Sequence, residues 1–282
     1  LAVAGIFAVP ASVYAQQQAP SGPSVQIYGT LNLNFQNSER GGATAVGTTG
    51  LATLSATPTG VNVTSRNGVS TDSSNIGFKG TENLGGGLKA VFQIETSANI
   101  DGQNLAAIGN RNSKVGLSGA FGEIFFGNWD TPFKAVTYGT KVGDPFLSTD
   151  VFGYQTIMSS PGFRQRSGAY LSGTNNASFD ARANNTVDYW TPVYNGFSGK
   201  LAYSANEGKT ATRDPNLWSL ALNYDNGPLS VVYAHERHKD AFGLTVMQAA
   251  STGTTSSDFA HRLGAGYKFR NTTASILWER LD

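Results

Sequence analysis

The chain has 282 residues, a net charge of +1, 34 glycines, 11% aromatic residues and only 14% charged residues. A balance so close to neutral supplies no bulk field for nucleic acid. The absence of cysteine excludes disulfide frameworks, thiolate metal sites and cysteine nucleophiles, while abundant Gly, Asn, Ser and Thr favour many short strands joined by turns over a helical core.

Residues Leu1 to Ala15 form an apolar run ending in the small-residue pattern Val13-Tyr14-Ala15, which predicts an export signal peptide followed by a short mature segment, residues 16–24. With no initiating Met and no basic stretch ahead of the run, the signal is expected to start upstream of Leu1. No later stretch approaches the roughly eighteen apolar residues of a membrane helix. A mature chain that spans a membrane must therefore do so as strands of a closed barrel.

From Val25 to Phe35 the odd positions are apolar or Gly and the even ones polar or hydrogen-bonding, the pattern of a strand whose two faces meet different solvents. Similar alternation predicts strands at Ser74 to Glu82, Leu88 to Thr96, Arg111 to Gly119, Glu123 to Asp130 and Asn185 to Thr191. It continues at Phe197 to Ala205, Leu217 to Tyr224, Leu229 to Arg237, Phe259 to Tyr267 and Thr272 to Leu281, eleven strands in all. The connections are by turns long and short. Gln36 to Asp72 is long and Asn83 to Gly87 tight, with glycines suited to positive φ. Thr131 to Asn184 is the longest, and uncommitted loops of that length are rare unless functional. Short turns at one end and long loops at the other describe an all-β, transmembrane antiparallel barrel with its turns in the periplasm. Bacterial barrels of this kind have an even strand number, so further C-terminal strands are expected, with two bare sheet edges in this stretch.

Alternation also assigns the faces. Val25, Ile27, Leu31, Leu33, Phe35, Ile76, Phe78, Phe126, Leu222 and Trp278 belong to the lipid side, with aromatics at strand ends as an interfacial girdle. Tyr28, Thr30, Asn32, Asn75, Lys79, Lys89, Glu95, Glu123, Asp188, Lys200, Arg262 and Glu279 belong to the other face, a lining too charged for a dry core. The strand from Arg111 fits no single register. A bulge near Gly116 is expected to put Arg111 inside and Leu117 outside, with Lys114 snorkelling to the interface.

Several stretches resemble one family: Ile27-Tyr28-Gly29-Thr30-Leu31, the hairpin from Ile76-Gly77-Phe78-Lys79-Gly80-Thr81-Glu82 to Gly85-Gly86-Gly87-Leu88-Lys89-Ala90, Val115-Gly116-Leu117 and Asp130-Thr131-Pro132. They are similar to the Gram-negative general porins of proteobacterial type, over about Val25 to Leu281. The resemblance implies a homotrimer of sixteen-stranded barrels, a third loop (131–184) folded into the pore, and acidic loop residues facing basic wall residues. Carried over, the loop carboxylates are Asp144 and Asp150 and the wall arginines Arg111 and Arg182, with Lys79 beside them. Asn75 and Asn128 stand where the family commonly has Arg, and Gly143-Asp144-Pro145-Phe146 replaces its acidic loop motif.

The expected function is passive diffusion of small hydrophilic solutes and ions through a water-filled outer-membrane channel. No cofactor or metal is expected, and the partners are a homotrimer, membrane lipid and lipopolysaccharide. Inward bases outnumber inward acids, giving a weak anion preference. Of the rival motifs, His235-Glu236-Arg237-His238 puts its histidines on opposite strand faces, so a metal pair is disfavoured and surface histidines at a strand end are expected. Glu207-Gly208-Lys209-Thr210 lacks the first glycine and the helix of a phosphate loop. A barrel enzyme would need a catalytic triad context that the three histidines do not offer, and a secreted β-sandwich would need two dry inner faces.

Overall fold

In the computed structural model the described residues are 24–40, 63–71, 74–102, 107–136, 140–142, 179, 182–205, 209–240 and 257–282. The expected signal peptide and the loop carboxylates Asp144 and Asp150 lie outside them.

Eleven strands form one antiparallel sheet: β1 (Ser24–Thr30), β4 (Asn75–Gly85), β5 (Leu88–Ser97), β6 (Ser113–Gly119), β7 (Gly122–Asp130), β8 (Arg182–Trp190), β9 (Phe197–Ala205), β10 (Asn216–Asn226), β11 (Leu229–Lys239), β12 (Ser257–Phe269) and β13 (Thr272–Leu281). From β4 onward each strand pairs with the next in sequence, the meander that hairpin connections dictate. Among the described residues β1 pairs only with β4 and β13 only with β12. Gly85, Gly86 and Gly87 at the β4–β5 turn all have positive φ.

Two expectations about the first strand and connection are corrected. The strand from Val25 breaks at Leu31-Asn32, and its second half is β2 (Leu33–Arg40), which pairs with β3 (Val63–Thr71) in a separate two-stranded ribbon. The ribbon occupies both ends of the stretch expected to be a loop. At the break the Ser74 hydroxyl accepts from the Asn32 amide at 2.7 Å and donates to the Asn32 carbonyl at 2.9 Å, so a side chain replaces one rung of the ladder.

The faces separate as alternation requires. Val25, Ile27, Phe78, Phe126, Leu222 and Ile276 project outward with much of their surface exposed, whereas Asp188, Ser219, Glu236 and Arg262 point inward and are buried. Such inversion is the reverse of a soluble domain. The inner face is not wetted uniformly, however. Phe133, Val136, Val142 and Phe179 from the connection after β7 pack on Ala221, Val232, Ala234 and Ala260 of the inner wall, each large apolar side chain contributing roughly 1.5–3 kcal/mol by leaving water.

Candidate functional site

The inner wall holds three charged clusters, each built from neighbouring strands. In the first, Glu95 on β5 receives the Tyr28 hydroxyl at 2.9 Å on Oε2 and the Arg111 Nε at 2.6 Å on Oε1. Tyr28 reaches across because it faces Gly77 in the register, where an added Cβ would lie 2.5 Å from the ring. Lys79 stands over the same ring, 5.0 Å from its centroid.

At the loop end of β7, Asp130 binds Arg182 at 3.1 Å and Lys134 at 3.2 Å. Asn112 ties the group together, donating to Asp130 at 3.0 Å and accepting from Arg182 Nε at 2.6 Å. Here the third connection leaves the wall. A short helix, α1 (Pro132–Ala135), starts at once, with Thr131 as its N-cap accepting from the Lys134 amide. The Phe133 amide donates to Ser219 on β10 at 2.9 Å. Its carbonyl accepts from Arg262 Nη1 at 2.9 Å, and Arg262 in turn holds Glu279 at 2.7 Å. Farther along, the backbone at Lys141 and Val142 lies on Gly266 of β12 and the Val142 side chain on Gly264; a Cβ on Gly266 would meet the Lys141 carbonyl at 2.4 Å. The missing side chains are what let this connection lie flat on the inside of the wall.

The third cluster was not expected. Lys114 is directed inward, ion-paired with Glu123 and placed 4.5 Å, 4.7 Å and 4.8 Å from the ring centroids of Phe125, Trp129 and Trp190. Lys200 also stands over Trp190, 4.5 Å from its ring centroid. Buried Asp188 lies near both ammonium groups. The expected bulge at Gly116 and outward snorkelling of Lys114 are therefore corrected. The β5–β6 and β6–β7 ladders run without a shift from Lys114 to Ser118; the change of phase lies ahead of the strand, where Arg111 donates its amide to the Glu95 carbonyl before β6 begins at Ser113.

Of the remaining residues singled out above, Thr30 faces Asn75 across the β1–β4 ladder, and both lie beside Asn32 at the break. His235 and His238 do point to opposite faces, yet His238 is fully buried inside, bonded to Glu236 at 2.7 Å and stacked on Phe179 at 4.3 Å, which corrects the expectation of two surface histidines. No group of three or more metal-ligating side chains exists among the described residues.

A family described as Gram-negative porin matches residues 1–282. The outer membrane porin protein 32 of Delftia acidovorans is 32% identical over 200 residues, covering 70% of this chain and 51% of the relative. The major outer membrane protein P.IB of Neisseria lactamica is 29% identical over 211 residues, covering 74% and 55%. The chain thus spans about half the length of the curated relatives it matches. Among solved structures, an anion-selective porin from Comamonas acidovorans superposes with a TM-score of 0.67 at 27% identity, over 92% of this chain and 68% of that one. With a polar inner face, a lipid-compatible outer face and the match over its whole length, the chain belongs to the Gram-negative porin family, an outer-membrane protein and not an enzyme.

Proposed function

We propose that the complete protein forms a water-filled channel for passive diffusion of small hydrophilic solutes and ions, with a weak preference for anions. The observation that carries this reading is the set of charged clusters, from Glu95 and Arg111 to Arg262 and Glu279, on one face of a sheet whose other face is largely apolar. Most inward bases are matched by a wall carboxylate: Arg111 by Glu95, Arg182 and Lys134 by Asp130, Lys114 by Glu123 and Arg262 by Glu279. Such pairs act as fixed dipoles. They order water and orient passing solutes while adding little net field. Lys79 and Lys89, exposed and without a carboxylate partner among the described residues, supply the surplus positive charge. The similarity to the Comamonas porin, which is anion-selective, supports the same sign.

In this reading residues 1–15 are the signal peptide and 25–282 barrel. Residues 131–184 form the constricting third connection, in which Asp144 and Asp150 face Arg111 and Arg182. Tyr28, Thr30, Asn32, Asn75, Asp188, Lys200 and Arg262 line the way, and three copies assemble in a membrane of phospholipid and lipopolysaccharide. The full-length protein in a planar bilayer under a salt gradient tests it. The reversal potential is expected to report mild anion preference; clear cation selectivity, or no conductance from folded protein, would overturn it.

A further inference from the structure

Spacing along β11 keeps His235 and His238 apart on opposite faces, but the β11–β12 ladder supplies a pairing that spacing denies. His235 stands directly opposite His261. Both lie on the outward face that carries Tyr233 and Leu263, both are half-buried, and their ring centroids are 4.5 Å apart with the planes tilted by 31°. Directly opposed residues of an antiparallel pair have Cβ atoms about 4.5–5.5 Å apart, and an ion shared by two imidazoles sits roughly 2.0–2.1 Å from each nitrogen. Side-chain rotation alone therefore brings both rings onto one ion.

Hydrogen bonds on the other side of each ring prepare the pair. His235 Nδ1 lies 3.0 Å from the Ala260 carbonyl, which can only accept, so Nδ1 carries the proton and the neutral ring keeps a lone pair on Nε2. His261 Nδ1 lies 3.1 Å from the Tyr233 hydroxyl oxygen, which can accept in the same way. Neither Nε2 has a hydrogen-bond partner among the described residues. A ring whose Nδ1 proton is held by an oxygen while Nε2 stays open is how histidine is presented to a metal ion. Around the pair, Arg280 spends its charge on Asp282 at 2.8 Å and Arg237 rests against Phe259 at 5.8 Å. With guanidinium groups as neighbours, a cation is drawn here by nitrogen lone pairs and not by bulk charge.

We propose that His235 and His261 form a two-histidine site for a divalent transition-metal ion, Cu2+ or Zn2+, bound through the two Nε2 atoms with water in the remaining positions. The Ala260 carbonyl and the Tyr233 hydroxyl orient the rings. Imidazole nitrogen suits these ions, whereas Mg2+ and Ca2+ require oxygen ligands that the pair does not offer. A bound ion ties β11 to β12 across the outer surface, and because only the folded ladder brings the rings together, it stabilises the fold by mass action. The site lies on the opposite side of the wall from the charged clusters, so it stands whether or not the channel conducts.

The test uses untagged full-length protein folded in detergent micelles and titrated with Cu2+. Electron paramagnetic resonance is expected to show an ion coordinated by two imidazole nitrogens. His235→Gln and His261→Gln are each expected to remove one nitrogen from the spectrum and to weaken binding roughly tenfold or more, and Tyr233→Phe, which keeps both ligands, about tenfold. An unchanged nitrogen signal in either folded glutamine variant would place the ion elsewhere and overturn the proposal, as would displacement of Cu2+ by equimolar Mg2+. Should the variants fail to fold, the wild type decides alone: Zn2+ is expected to protect His235 and His261 together from diethyl pyrocarbonate, read by peptide mass mapping. Modification of either ring at its metal-free rate in the presence of Zn2+ would sink the site.

Discussion

At the residue scale, the inner wall sorts its charges into neutral pairs and a small remainder, and the two groups respond oppositely to mutation. Glu95→Gln leaves Arg111 uncompensated, so anion preference is expected to rise; Lys79→Gln removes part of the surplus, so it is expected to fall. A unit charge at 4 Å in water is worth about 1 kcal/mol, which sets roughly fivefold as the ceiling on either change in permeability ratio. Reversal potentials measured for both variants check the opposing signs, and movement in the same direction would refute the assignment. Alternation in the sequence was enough to put Tyr28, Lys79, Glu95 and Arg262 on one face. It was not enough to find the ring cage around Lys114, because Phe125, Trp129 and Trp190 come from other strands and meet it only through the ladder registers. Their shared inward parity with Glu123 and Asp188 was the signal available.

At the element scale, the third connection is bound to the wall by apolar contact and by two glycines. Phe133→Ala is expected to cost about 3–5 kcal/mol of that docking. The readout is faster proteolytic nicking within 131–184 at unchanged barrel melting; equal nicking would show that the contact does not hold the connection. Gly266→Val pushes the Lys141 backbone off the wall toward the lumen, so single-channel conductance is expected to drop, and wild-type conductance would contradict the docked geometry. Strands with one apolar and one polar face were legible almost to their ends, as Phe197–Ala205 and Thr272–Leu281 illustrate. The ribbon strand Val63–Thr71 was not, because Thr64, Ser65, Arg66 and Asn67 are polar on both faces and a period of two carries no hydrophobic contrast there. The break at Asn32 was hidden for the opposite reason: Leu31, Leu33 and Phe35 stay exposed in one phase across it.

At the scale of the whole molecule, the sheet behaves as a boundary between oil and solution. On β4 this gives a sharp contrast within four residues. Phe78→Arg puts a guanidinium among lipid chains and is expected to destabilise the folded barrel by about 2–4 kcal/mol, whereas Thr81→Arg, on the face that already carries Lys79, is expected to fold normally. Urea titration in bilayers or micelles checks both, and equal tolerance would argue against a lipid-facing Phe78. Because the chain has no cysteine, the boundary can be mapped with single cysteines at 76, 78, 92 and 94 on one face and 79, 81, 89 and 93 on the other, in membrane-inserted protein exposed to a water-soluble thiol reagent. The predicted result is labelling of the second set and protection of the first. Protection of both sets, as in a dry sandwich, or equal labelling of both, would contradict a hydrated interior enclosed by a lipid-facing wall.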